Sequence, residues 1–455
     1  MNPQNSPFLI VTKLLNSVLD EMARHQALGR VQRRFLLVLL PTFLRMSGRA
    51  NFINLSRHCA LSERTVRRCY QRVFDWVSFN GLLVARAVPA GHRQVVALDA
   101  SFVPKSGKKS YGLDHFFDGC AGRARQGLEV SLVSLIDVDA NSAYALSVRQ
   151  TPPTSKASKA SKASKTSKTS KTSKTSKTSK TSKTSKASKA SKTSKTSKEE
   201  TRMDAYLEHL AQVRGQLPAA VRYGVFDGAF ARKKFVDGVR ALGLQVVSKL
   251  RCDADLRYLY EGEQQRRGAR RQYDGKVDFQ DLSRWQKVAA PTSLPSHLHL
   301  YTVCAHHKSL HRVVRVLLLL CTKDPTKPRY VLLMSTDCEV GGAELYALYK
   351  ARFQMEFLFR DAKQWTGLSQ CQARDQQALH FHFNASLSAV NLAKIAQTQA
   401  QAQTQTEPFS LASWKQKAFN EHLLHLFIAN LDLEPTWVIT HPAYPSLCNY
   451  GAIAP

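Results

Sequence analysis

Apolar residues in the first ninety positions recur at intervals of three and four, the spacing that gathers them on one face of a helix. They predict helices over residues 8–22 and 31–46, then a tighter pair, 52–59 and 63–73, joined by Ala60-Leu61-Ser62 with Ser62 placed to cap the second. From residue 95 the period changes. Val95-Val96-Ala97-Leu98 is a short β-branched run that stops at Asp99, residues 128–136 alternate, and 144–148 supply a third strand. An amphipathic helix at 200–217 is followed by a strand at 221–226 that ends at Asp227, then Gly228, a helix at 231–242 and a strand at 244–248. The succession is three strands, helix, strand, helix, strand, with a carboxylate closing the first and fourth strands.

Between 250 and 340 short β-like stretches (298–304, 312–320, 330–335) are separated by polar loops, including the basic run 266–271. Residues 349–363 contain no Gly, no Pro and no β-branched residue and predict one continuous helix. A further helix at 380–396, a Gln/Thr/Ala linker at 397–406 and a last helix at 411–431 complete the pattern. These changes divide the chain into 1–90 (helical), 91–249 (α/β core), 250–340 (β-rich insertion), 341–400 (second part of the core) and 401–455 (helical tail).

Inside the core, residues 155–198 repeat Ser-Lys-Ala or Ser-Lys-Thr in strict triplets, and the tract at 154–199 is expected to be disordered because a lysine every third residue can bury nothing. The net charge of +32 points to a polyanionic partner, and it stays strongly positive without the 15 lysines of the tract. Nine scattered cysteines with no Cys-x-x-Cys pair argue against both a disulfide framework and a zinc site, and for a reducing cytosol. The longest apolar runs fall short of the ~18 residues that span a bilayer, and no secretory leader is recognisable, so no membrane partner is expected.

Two helical faces carry candidate chemistry. On 63–73, Val66, Cys69, Tyr70 and Val73 form the inward stripe while Arg64, Arg67, Arg68 and Gln71 repeat the spacing outward, the pattern of a helix-turn-helix with a basic recognition helix. On 349–363, Tyr349, Arg352, Glu356 and Lys363 fall within a sector of roughly 60°, with Arg360 beside them, so that one carboxylate is ringed by a phenol and three cations. Asp114, Asp118, Asp137 and Asp139 are expected in loops or at the far end of the hairpin, without the buried strand that leads into Asp99 and Asp227. Lys105, Lys108 and Lys109 lie in a Gly-containing loop after Asp99.

The spacing Tyr349, Arg352, Glu356, Lys363, with Asp99 and Asp227 at strand ends upstream, resembles the Tyr-Arg-Glu-Lys subgroup of insertion-sequence DDE transposases. The resemblance implies a ribonuclease-H-like core interrupted by a β-rich insertion, for which the 129 positions from Asp227 to Glu356 leave room. It implies that Asp99, Asp227 and Glu356 bind metal and that Tyr349, Arg352, Lys363 and also Arg360 and Lys105 hold DNA. Three such carboxylates suit two Mg²⁺ ions roughly 3.5–4 Å apart, with Mn²⁺ as a substitute. It further implies cut-and-paste transposition on double-stranded DNA, both terminal inverted repeats and target, by a synaptic homodimer in a bacterial-type cytoplasm, associated with the nucleoid when bound to DNA. An aromatic residue of the insertion is expected to stack on a flipped base; Tyr330 is the nearest by position and Trp285 the other candidate. The competing class is a decayed or repurposed DNA-binding protein acting through the helix-turn-helix alone, and the lysine tract is a departure from the family.

Overall fold

A computed structural model describes residues 7–25, 28–152, 201–289, 294–324, 329–401 and 409–453; the lysine tract lies outside them. The chain opens with helices α1 (Pro7–His25), α2 (Arg30–Arg45), α3 (Phe52–Arg57), α4 (Glu63–Tyr70) and α5 (Trp76–Ala85). Caps set the short ones: the Asn51, Ser62 and Asp75 side chains accept from the backbone N–H three residues on.

Strands β1 (Gln94–Pro104), β2 (Asp114–Asp118), β3 (Arg123–Asp137) and β4 (Ser142–Gln150) follow, then α6 (Arg202–Arg214), β5 (Tyr223–Phe226), α7 (Lys233–Ala241) and β6 (Gln245–Leu250). In space they run β4-β3-β1-β5-β6, with β3 antiparallel to β1 and β4, and β1, β5 and β6 mutually parallel. Two details differ from the sequence reading. Strand β1 does not stop at Asp99 but continues to Pro104, because β3 is long enough to pair with it throughout. Asp114 and Asp118 are not in loops: they bound β2, which pairs with the outer part of β3.

Beyond β6 come β7 (Leu256–Leu259), β8 (Tyr273–Lys276), β9 (Gln286–Val288), β10 (Leu298–His307), β11 (Arg312–Cys321) and β12 (Arg329–Ser335). They do not build a sheet of their own. Strand β12 hydrogen-bonds to β6 over Leu332–Ser335, so all twelve strands form one mixed sheet.

The chain ends with α8 (Gly342–Ala351), α9 (Gln354–Trp365), α10 (Gln376–Gln401), α11 (Leu411–Asn430), α12 (Pro435–Thr440) and α13 (Tyr444–Cys448). The stretch 349–363 is therefore two helices rather than one. At the junction, Arg352, Phe353, Met355 and Glu356 each donate to the carbonyl three residues back, a tight turn that overwinds the backbone. The expected linker from 397 is helical as far as Gln401.

The N-terminal helices pack on the C-terminal ones. Phe35, Tyr70 and Trp76 converge on Phe381 of α10, with ring centroids 4.9 Å apart for Tyr70 and Phe381, and Phe52 packs on Tyr70; one continuous apolar core runs from α1 through the sheet to α11. Val73 is the exception to the predicted inward stripe: α4 ends at Tyr70 and leaves Val73 79% exposed.

Helix α10 also closes the outer edge of β4. Asn391 accepts from the Ala145 N–H (2.9 Å) and donates to its carbonyl (2.7 Å), and Asn384 does the same for Val148 (3.0 and 2.9 Å), so buried side-chain amides stand in for a missing strand. Replacing Asn391 with leucine strands both backbone groups of Ala145 in an apolar layer, at a cost of about 2–4 kcal/mol. The expected outcome is a thermal or urea transition lowered by that amount with the folded-state circular dichroism unchanged.

Candidate active site

Leu98 on β1 and Phe226 on β5 are the last registered pair of the two parallel strands. The next residues on each, Asp99 within β1 and Asp227 just past the end of β5, therefore stand side by side, with strand backbones ~4.8 Å apart. At Asp227 the sheet ends and the chain turns, which Gly228 permits: a Cβ there would sit 3.1 Å from the Lys249 carbonyl oxygen. The Ser248 hydroxyl donates to the Asp227 carbonyl at 3.1 Å and fixes this corner.

The junction between α8 and α9 delivers the third carboxylate. Arg352, at the tight turn, reaches Asp99 Oδ2 and Glu356 Oε1 with separate nitrogens, each at 3.3 Å. Its side chain is only 14% exposed, whereas that of Glu356 is 48% exposed, so the guanidinium is inside and the glutamate at the rim. The Tyr349 ring lies 5.8 Å from the guanidinium carbon. Two turns beyond Glu356 along α9, Lys363 donates to Ser101 Oγ at 2.8 Å.

Burial pushes the Asp99 carboxyl up to about 6, a rise that Arg352 and the Ala100 N–H oppose and that the charges of Asp227 and Glu356 reinforce. Asp99 thus feels both of the other carboxylates, and Arg352 is the cation that touches Asp99 and Glu356. Burial also raises the Tyr349 phenol and lowers the Lys363 ammonium. Among the described residues no three His, Cys, Asp or Glu side chains are gathered tightly enough to hold one ion. The carboxylates are instead spaced around a guanidinium. In kind the donors fit a hard divalent cation, being all oxygen, anionic and mutually repelling. Asp99, Asp227 and Glu356 are the residues that could hold it.

The other predicted residues divide. Arg67 and Lys105 line one cavity of about 730 Å³ that runs from α4 to the end of β1 and takes in Gln71, Ser110 and Arg374. There Arg67 is paired with Glu63 at 2.8 Å and lies over the Phe52 ring, and Lys105 donates to the Cys371 carbonyl. Arg64 and Arg68 are exposed on the same helix. Arg360 is exposed on α9, where it binds Asp361 at 3.1 Å and covers the Phe357 ring. Trp285 is buried, and Tyr330 is half-buried and packs on Phe279 with centroids 5.7 Å apart.

Three residues were missed. Ser101 lies two positions beyond Asp99, on the same strand face, and that period was visible in the sequence. Lys249 and Arg251 line a cavity of about 540 Å³ together with Asp227; the pairing of β6 beside β5 that puts them there was not.

Among the described residues no helix is long and apolar enough to cross a membrane. A family model described as DDE superfamily endonuclease matches residues 25–309. That stretch contains Asp99 and Asp227 and ends before the helix of Glu356. No curated protein matches the chain.

Proposed function

The chain belongs to the DDE superfamily endonucleases, and from that premise we propose that it is a transposase of the Tyr-Arg-Glu-Lys subgroup, with a ribonuclease-H-like core of β4-β3-β1-β5-β6. It binds the terminal inverted repeats of a mobile element as a synaptic homodimer, cuts them, and joins them to target DNA in the cytoplasm. The observation that supports this most is that Arg352 binds both Asp99 and Glu356 while the pairing of β1 with β5 puts Asp227 beside Asp99.

In this reading the three carboxylates would hold two Mg²⁺ ions, or Mn²⁺ in their place, which would supply activation of the attacking oxygen and neutralisation of charge on the phosphoryl oxygens. The protein's own part is positional. Arg352 exchanges its carboxylates for a phosphate oxygen, Lys363 steadies the neighbouring phosphate from its anchor on Ser101, and Tyr349 donates from the side. Incubation with DNA carrying the element's own ends tests the reading: 3′-hydroxyl nicks at the ends in Mg²⁺, absent with a chelator, support it, and intact DNA in both removes it.

A non-catalytic DNA-binding protein would bind the ends through α4 and cut nothing. For either reading, replacing both Arg67 and Arg68 with alanine is expected to weaken end binding about tenfold or more in a mobility shift, since each loses a contact to phosphate or base. An unchanged shift would take α4 out of the interface.

A further inference from the structure

Cys304 and Cys338 meet although they lie 34 positions apart in the chain. Cys304 stands on β10 directly across from Arg315 of β11, so the two side chains share one face of the sheet. Arg315 in turn donates to the Cys338 carbonyl from two nitrogens, with Nε at 2.8 Å. This clamp brings Cys338, three residues past the end of β12, back over Cys304. The Cys304 sulfur is 3.9 Å from the same carbonyl oxygen, and the Cys338 thiol hydrogen-bonds to it. Both are half-buried free thiols, held in place and still within reach of a small molecule.

The contact sits at a joint. Residues 336–341 lead from β12 into α8, the helix that carries Tyr349. Asp337 accepts from the Tyr223 hydroxyl of β5 at 2.7 Å, and α8 opens so close to β9 that a Cβ at Gly342 would lie 2.6 Å from Val288. We propose that Cys304 and Cys338 are a peroxide-sensitive pair whose disulfide pins this joint to β10. The asymmetry of the pair assigns the roles. The hydrogen bond from Cys338, helped by the charge of Arg315, pulls the Cys304 thiol down to about 7 from an ordinary 9.0, against its burial and Glu339. That same bond, with burial, pushes the Cys338 thiol up. Near neutral pH Cys304 therefore supplies the thiolate, the reactive form. Its sulfur attacks one oxygen of the peroxide: an S–O bond forms, the O–O bond breaks, and the departing hydroxide takes up the proton that Cys304 released. Cys338 then attacks the sulfenic sulfur, the S–S bond forms, the S–O bond breaks, and the second hydroxide leaves with the Cys338 proton. Two thiols lose two electrons and two protons, and one peroxide becomes two waters.

Peptide mapping of the full chain tests the inference. After brief exposure to hydrogen peroxide and alkylation of the remaining thiols, a non-reducing digest is expected to yield a cross-linked peptide joining Cys304 to Cys338, lost on treatment with dithiothreitol. The linked protein should melt a few degrees above the reduced one, because the bond closes a loop in the unfolded chain, and the amides of 336–342 should exchange with solvent about tenfold more slowly. In Cys338→Ser the oxidation is expected to stop at Cys304 as a sulfenic acid that dimedone traps, whereas Cys304→Ser leaves Cys338 a free thiol. Peroxide that leaves both thiols open to alkylation, that links other cysteines first, or that oxidises Cys338 in Cys304→Ser would each overturn the proposal, and so would a linked protein whose 336–342 amides exchange as before. The mapping uses the native chain, so it decides the pairing even where a serine variant fails to fold. No measurement here involves DNA or a divalent metal, so the nuclease reading stands or falls separately.

Discussion

Changing Glu356 to glutamine is expected to stop end cleavage while leaving end binding intact. The substitution keeps the shape and one oxygen but removes the charge that completes the set of three carboxylates. If that charge is worth ~4 kcal/mol at the transition state, the loss is about 10³-fold in rate. Binding has a reason to survive. Glu356 is at the rim of the site and half exposed, and neutralising it both removes a repulsion toward DNA phosphate and releases one of the two anions that occupy Arg352. A cleavage assay and a mobility shift on the same DNA check the two halves separately. Equal cleavage by the variant would take Glu356 out of the chemistry, and lost binding would make its role structural.

The second large effect concerns Asp99. Its carboxyl titrates near 6 in the fold against an ordinary value of 3.8. A raised acid favours the folded state only while it is protonated: its contribution is complete below about pH 4 and is lost as pH climbs through 6. The difference of about two units corresponds to up to about 3 kcal/mol. Chelator-treated protein is therefore expected to melt at a lower temperature at pH 8 than near pH 5, and Asp99→Asn to flatten that dependence while abolishing cleavage. A divalent cation should restore the melting temperature of the native protein at pH 8 and not that of the variant. An unchanged pH profile in Asp99→Asn would show that the strain lies elsewhere. The site carries a cost in stability of the kind that catalytic groups often impose.

Much of this site could be read from the sequence because each carboxylate follows a local signal. A β-branched run that meets Asp99, and another that meets Asp227, announce two buried strands with charged ends, and the absence of helix breakers marks the region of Glu356. The parts that could not be read depend on distant partners. Nothing near Asp99 says that β3 is long enough to carry β1 on to Pro104, or that β6 brings Lys249 beside Asp227. The tight turn at Arg352 and Phe353 leaves no mark in composition, yet it splits the expected helix, with Tyr349 on α8 and Glu356, Arg360 and Lys363 on α9. Helical periodicity marks α4 but not its end, so the apolar spacing carries on to Val73 although the helix stops at Tyr70 and Val73 is exposed.

The single sheet limits how this protein could be cut down or rebuilt. Because β12 is bonded along β6, next to the strand that ends at Asp227, excising residues between them to make a smaller nuclease would expose a bare strand edge two strands from the catalytic corner. Such a trimmed protein is expected to pair edge to edge and precipitate rather than to fold as a minimal core. The loop at the far tip of β7 and β8 is farther from that seam and is the safer place to graft a reporter or a tag.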